Sequence, residues 1–600
     1  MKKSLTRLSM LSMLFMSLIS SAQVGSNNRL LFTTDLNGQQ EVPSVTTDAR
    51  GIATILISED LTTMSIYAVF SGLSGAITGC HIHDGIDGVA GPVLISLTND
   101  LSGNRLRAEI PATANILSKL LKKELYLNVH TAANPGGEIR GQLELKTENL
   151  YAMALSGANE TPAVNSTASG VGYLAHSPGN FFLRYTIEYN GLSGPLTAAH
   201  FHSGAAGVAG PVVTPLLPGL TNTLTGTLDL TLLPNDFLQK LDAGTLYANI
   251  HTAANPGGEI RGQVIPLGPI AFEAILNGDQ ETPPVTTSAG GVAIASLNAT
   301  LDSVTYYVGV NGLTPTAAHF HTGASGVAGP VLVGLQTTSL PNFYTAKVAV
   351  TETVVANLLT SKIYANVHTA ANPGGEIRGQ MEPLLRRVYA FDLCGEQEVP
   401  VNAASAIGAA YITTDRLSTH LEYRYIVDGL SGPASAAHIH DGAIGASGPV
   451  YLPVNTPAPV GSGQFQITGD VTAKLESGNT YLNVHTAANP GGEVRGQVLR
   501  DLSCSTNVAV APEPAAEILS VFPNPTTDYV DIRMYVKEPF EGQLCLMELG
   551  GKTVLQKKYN LESGPQALSL NLTNLPAGMY FAQIRSAQHG MIRAFKVVKK

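Results

Sequence analysis

The 600-residue chain has no tryptophan, only four cysteines and only 13% charged residues. Each scarcity removes a class of protein. Four cysteines in a chain this long do not make a disulfide scaffold. Cys394 and Cys504 bracket one segment and are candidates for a single bridge, while Cys80 and Cys545 have no evident partner. The formal net charge is −10. The start is basic, and residues 519–600 hold 10 Lys/Arg against 6 Asp/Glu, so the body between them is more acidic than the whole. An acidic body without basic stripes excludes nucleic acid as a natural partner. It also disfavours electrostatic adsorption to anionic lipid. Beyond the N-terminus no stretch is apolar for long enough to read as a transmembrane helix.

Other features are abundant. Lys2, Lys3 and Arg7 precede a short apolar stretch, Leu8 to Ile19, and Ser20-Ser21-Ala22 closes it with small residues. That is the pattern of an export signal cleaved after Ala22, so residues 1–22 are set aside from the fold. The tract Asn128-Val129-His130-Thr131-Ala132-Ala133-Asn134-Pro135-Gly136-Gly137-Glu138-Ile139-Arg140-Gly141-Gln142 returns almost letter for letter at 249–263, 366–380 and 483–497. A period of 117 to 121 residues is too long for a solenoid unit and suits a complete small domain. The reading is four tandem domains at 29–146, 149–266, 269–384 and 387–502, a linker at 503–518 and a further segment at 519–600.

Each unit opens on an apolar strand ending in an acidic motif, Asn37-Gly38-Gln39-Gln40-Glu41-Val42-Pro43 in the first. Strand-like runs such as Ile52 to Ile57 and Met64 to Phe70 follow, separated by Gly, Asp and Ser clusters. Ile116, Leu117, Leu120 and Leu121 have helical spacing, and in the second unit Asn235 is placed to cap a helix that Gly244 stops. The expectation is all-β: four antiparallel β-sandwiches of seven or eight strands with one short helix each, plus a small C-terminal β-sandwich. Short linkers predict a semi-rigid rod about 140 Å long.

Twelve of the fifteen histidines form equivalent triplets: His81, His83 and His130; His200, His202 and His251; His319, His321 and His368; His438, His440 and His485. Residues i and i+2 of a strand share a face. The residue between each His pair is apolar (Ile82, Phe201, Phe320, Ile439), so the histidines point away from the core. Leu127 and Val129 likewise face inward, leaving Tyr126, Asn128 and His130 on the other side. If the two strands are neighbours, three imidazoles converge on one sheet. Such a set suits copper or zinc with an open coordination position. It also suits a hydrogen-bonded cluster that orders the Gly-rich loop and the Asn-Pro-Gly-Gly turn. Glu138 and Arg140 share a face and, with Glu41, are expected to form an ion-pair network tying the last strand to the first. No Gly-x-Ser-x-Gly, His-Glu-x-x-His or P-loop is present, and no catalytic residue is nominated.

His-x-His-x-Gly, a Gly-Pro loop and Tyr-x-Asn-x-His-Thr-x-x-Asn-Pro-x-Gly-Glu-[Ile/Val]-Arg-Gly-Gln together resemble the CHRD domain, named after chordin. The Cys-rich modules that accompany the domain in chordin are absent, so the resemblance does not carry growth-factor antagonism with it. Val521-Phe522-Pro523-Asn524-Pro525, Leu575-Pro576-Ala577-Gly578-Met579-Tyr580 and the basic end are similar to the type A sorting domain of the type IX secretion system. That resemblance implies the secretion machinery as a partner, removal of this domain, and release or surface attachment. More weakly, His-x-His with a later histidine resembles the copper site of copper/zinc superoxide dismutase, which would make His81, His83 and His130 copper ligands. A bridging histidine and a zinc cluster are not matched. Two functions follow. One is a non-enzymatic secreted or surface protein that binds an extracellular protein, glycan or matrix polymer at four sites; the other is a copper or zinc protein of superoxide-dismutase type.

Overall fold

The computed structural model describes residues 29–217, 222–454, 459–499, 516–522, 526–536, 539–548, 553–586 and 590–600. The export signal, most of the linker and Cys504 lie outside these residues. The chain divides into two compact units, one up to Cys504 and one from Ser505.

In the first repeat the strands are β1 (Leu31–Asn37), β2 (Arg50–Ile57), β3 (Thr63–Ser71), β4 (Ile77–Asp84), β5 (Val93–Ser96), β6 (Leu101–Ser102), β7 (Arg105–Pro111), β8 (Leu125–Thr131), β9 (Ile139–Gln142) and β10 (Glu144–Leu145). Their order is β5-β4-β8-β9-β1-β2-β3-β7-β6, all antiparallel. One residue pair, Asn37 with Arg140, joins β9 to β1. The sheet is therefore folded there into two layers, a sandwich with β5-β4-β8-β9 on one side and β1-β2-β3-β7 on the other. In the third repeat the two layers are separate sheets. This is the all-β architecture the patterning predicts.

One helix, α1 (Ala114–Leu121), packs against the core, and Thr113 caps it by accepting from the Ile116 amide. Leu117, Leu120 and Leu121 are its buried face, as their spacing predicts. In the second repeat the helix runs Phe237–Asp242, and its N-terminal boundary falls on Asp236 rather than Asn235. Gly244 ends that segment at φ +64°.

The repeats do not form a rod. Ile52, Leu56, Tyr67 and Val69 of the first repeat pack against Ala390, Ala409, Tyr411 and Ile426 of the fourth. Leu150, Val171 and Tyr173 of the second pack against Val292, Ile294 and Phe343 of the third. Polar ties close both seams. The Tyr67 hydroxyl donates to the Gly408 carbonyl at 2.8 Å, and Lys146 pairs with Glu422 at 2.9 Å. Arg184 pairs with Glu273 at 2.6 Å. Glu148 and Glu273 bridge further, since Glu148 accepts from the Arg416 amide and Glu273 sits 3.6 Å from the Arg416 side chain. The physical cause lies in the strands. Gly51 to Ile57 are buried at every position, so β2 has two apolar faces and cannot stay against water.

Cys394 is disulfide-bonded. Cys80 is a free, buried thiol on the core side of β4, and burial pushes it up to about 12, so it is no thiolate ligand. The C-terminal unit is also all-β. Its sheets are ordered Ala516–Phe522, Tyr529–Val536, Gly564–Asn571 and Thr553–Leu561, Phe540–Glu548, Gly578–Ser586, Gly590–Lys599. Val530, Ile532, Leu544, Leu546 and Ile584 lie in its core.

Candidate metal centre

β4 and β8 are neighbours, and their register sets His81 opposite Asn128, His83 opposite Tyr126 and Gly79 opposite His130. Ile82 and Val129 are fully buried on the inner face, so all three imidazoles project from the other. That face is not open surface. The loop Gly85–Gly91 and the turn Asn134–Gly137 fold over it, leaving His83 only 8% exposed and Asn128 only 3%.

The second nitrogens of the rings fix which atoms remain. His83 Nδ1 lies 2.9 Å from the Gly91 carbonyl, and His130 Nδ1 lies 3.1 Å from the Pro135 carbonyl. A carbonyl only accepts, so each Nδ1 carries the hydrogen and each neutral ring keeps a bare lone pair on Nε2. Both Nε2 atoms are buried and unpartnered, and so is His81 Nδ1. His81 is backed by Thr98 through Nε2 at 3.5 Å. The same orienting bonds recur at His202–Gly210, His321–Gly329 and His440–Gly448, each 3.0 Å. They recur again at His251–Pro256, His368–Pro373 and His485–Pro490, each 3.1 Å. Histidines that ligate metal usually donate their other N–H in this way, which fixes the tautomer.

Among the described residues, these four triplets are the groups whose ligand atoms lie within 4.8 Å of one another. In the second and fourth repeats His200 Nδ1 and His438 Nδ1 stand 3.2 Å from His251 Nε2 and His485 Nε2. Two nitrogens bound tetrahedrally to one ion at about 2.0–2.1 Å are roughly 3.4 Å apart. Burial, followed by the neighbouring imidazoles, holds His81 below the usual histidine range, and burial also lowers His130, His202, His251, His319, His368, His438 and His485. Neutral rings are the form that binds metal.

The supports of this cluster were only partly visible in sequence. Arg140 is 1% exposed; it donates to the carbonyls of Ile86 at 2.9 Å and Val89 at 3.0 Å, and its guanidinium sits 3.5 Å from the centre of the Tyr126 ring. Tyr126 also stacks on His83, with centroids 4.9 Å apart. Gln142 Nε2 donates to the Gly85, Lys123 and Leu125 carbonyls. Arg140 and Gln142 thus clamp the loop whose Gly91 carbonyl orients His83. A Cβ on Gly91 would stand 1.7 Å from the Asp84 carbonyl, which explains glycine there. Gly137 has φ +129°, and a Cβ on it would strike Asn128 and Glu41.

The ion-pair network expected of Glu41, Glu138 and Arg140 is not what forms. Glu138 precedes β9, so strand parity does not govern it. It turns beneath the loop and accepts from the Ser74 amide, Ser74 Oγ, Thr131 Oγ1 and Thr47 Oγ1 at 2.6–2.9 Å. Burial favours protonation of its counterpart Glu259, but hydrogen bonds from Ser193, Thr252 and Ser166 outweigh it and hold that carboxyl at about 2. Glu41 instead accepts from Asn128 at 3.3 Å, and burial pushes its carboxyl up to about 7. Glu160, Glu281 and Glu398 are pushed to about 7 by the same cause.

Fold and site together define a multidomain all-β protein whose repeats each present one clustered histidine triplet. The CHRD domain model matches residues 32–143, 151–264, 272–381 and 389–498, well over half of the sequence, and the chain belongs to the CHRD domain family. Residues 520–600 match the secretion system C-terminal sorting domain. The protein is therefore secreted or held at the outer-membrane surface. Among the described residues no helix is long and apolar enough to cross a membrane. Two relatives are chordin from Xenopus laevis, 30% identical over 210 residues, and chordin from Danio rerio, 29% identical over 202. Each match covers 31% of this chain and 22% or 20% of the chordin. The chain thus spans about a fifth of the length of those relatives. A DUF4785 family protein from Legionella pneumophila aligns over 55% of this chain and 86% of its own, at 12% identity and a TM-score of 0.17, too low to support an argument.

Proposed function

We propose that this exported protein carries one copper or zinc ion in each of its four CHRD repeats, held by the three histidines of that repeat. The observation that supports this reading is the set of nitrogens left over in the first and third repeats. Both Nε2 atoms and the Nδ1 atom of each triplet are buried, unpartnered and within 4.8 Å of one another. A polar cluster built only to order loops would leave three such atoms unsatisfied at a cost of about 1–3 kcal/mol each. Three imidazoles leave a coordination position free, where the ion can take water or a group from an external ligand. The repeat limits 29–146, 149–266, 269–384 and 387–502 belong to this reading.

Binding of an extracellular protein, glycan or matrix polymer is the second reading. The feature favouring it is an apolar rim beside each histidine loop, with Val89 and Val93, Val208 and Val212, Val327 and Val331, and Val450 each about half exposed. Linked weak sites gain avidity without new contacts.

Metal content of the purified full chain tests the first reading. The control replaces His81, His200, His319 and His438 by Gln, because these rings donate to no backbone carbonyl that shapes a loop. The expected result is about four ions per wild-type chain and at least a tenfold loss of affinity in the folded variant. Sub-stoichiometric metal that the variant leaves unchanged would refute it.

A further inference from the structure

The core of the third repeat contains a cavity of about 200 Å³ between its two sheets and the helix Glu352–Leu359. Ala295, Val304, Tyr306, Phe320, Val348 and Leu332 are among the side chains that line it. The Tyr306 hydroxyl is already engaged, accepting from the Gln336 amide at 2.8 Å. The other side chains that line it are apolar, so the wall is mostly apolar. Leu332 is 38% exposed and marks the mouth.

The sequence of this repeat writes the cavity. Ala295 lies between Phe272 and Tyr306 in the sheet. The residues at that register elsewhere are Ile55, Leu174 and Ile412. Val304 stands opposite Val348. The matching pairs are Met64 with Ile110, Leu183 with Leu228, and Leu421 with Phe465. The second repeat makes the cleanest contrast, because it keeps the same aromatic pair. Tyr185 and Phe201 meet edge to face at 6.0 Å, as Tyr306 and Phe320 do at 5.3 Å. With the aromatics unchanged, Leu174, Leu183 and Leu228 become Ala295, Val304 and Val348. Phe201 is fully buried, whereas Phe320 is 6% exposed.

Protein interiors close-pack, and a void of this size forfeits contact energy. Three small residues at three adjoining core positions, in one repeat of four, keep the void open. An apolar cavity of about 150 Å³ stays dry and accepts benzene. We infer that the third repeat binds one small apolar molecule, a short alkyl chain or a single aromatic ring, entering past Leu332. This site is separate from the histidine clusters, because Phe320 faces the core while His319 and His321 project from the other side of the same strand.

Toluene binding to the purified full chain, followed by calorimetry and by thermal unfolding, tests the inference. The expected result is one equivalent per chain with an upward shift in melting temperature. Replacing Ala295 and Val348 by Leu fills the space, and affinity should fall at least tenfold while the fold is retained. Should the double variant not fold, Val348→Leu alone, at the less buried wall, decides the matter by the same loss. No binding by the wild-type chain, a stoichiometry near four, or undiminished binding by the folded filled variant would each overturn the site.

Discussion

In the histidine-bearing sheet the four repeats place the same side chains at the same register positions: His-x-His opposite Tyr-x-Asn-x-His, with Arg and Gln on the following strand. In the opposite sheet they diverge. The register position of Ile55 holds Leu174, Ala295 and Ile412, and outward residues such as Ile52, Val171, Val292 and Ala409 serve different seams. Both sheets bury their residues, so burial alone does not explain the sameness of one and the drift of the other. A packed apolar position tolerates exchange among hydrocarbons of similar volume. A position that must aim a nitrogen lone pair tolerates none. The histidine face is held to one geometry in four copies, and the back face is adjusted to whichever repeat it meets.

The largest expected effect lies at the seam. Ile52→Asp sets a carboxylate in the apolar contact between the first and fourth repeats and should cost about 4 kcal/mol or more. Urea unfolding of the full chain measures it, and a cost below about 1 kcal/mol would mean the seam is not a core. The histidine face should respond differently. Arg140→Met removes the donors that fix Ile86 and Val89 but leaves all three histidines of the first repeat. Stability should fall by about 2–3 kcal/mol, with metal affinity at that repeat falling roughly 10–100-fold. Equal affinity in variant and wild type would separate the clamp from the ligands.

A smaller effect comes from pH. Glu41, Glu160, Glu281 and Glu398 are raised to about 7, so the folded state holds their protons more tightly than the unfolded chain does. Their contribution is fully present below about pH 4.5 and is lost as pH rises through about 7. The lowered histidines act with the opposite sign, stabilising above about pH 6.5 and ceasing to as pH falls. Changing the four glutamates to Gln should flatten the first contribution alone. The variant should gain urea resistance relative to wild type between about pH 5 and pH 8, and parallel pH curves would contradict the assignment.

Strand parity was enough to place the three histidines of each repeat on one face. Ile82, Phe201, Phe320 and Ile439 do face the core, and their flanking histidines do meet the third ring. Parity failed at Glu138, which lies one residue outside its strand, and it is silent about carbonyls. That Gly91 and Pro135 orient the rings follows from loop closure, which no spacing rule reports. The seams are legible in the strands rather than in the linkers. Gly51 to Ile57 are apolar at every position but Thr54 and do not alternate, and such a strand means two buried faces. Short linkers alone suggest isolated beads; the second apolar face of β2 is what joins the first repeat to the fourth.

The electron paramagnetic resonance spectrum of the full chain titrated with Cu(II) tests the histidine clusters as metal sites most directly. About four bound ions are expected, each with three imidazole nitrogens, and that three-nitrogen pattern should be lost in the His81, His200, His319 and His438 variant. Saturation below one ion per chain, or a ligand set dominated by carboxylate oxygen, would contradict it.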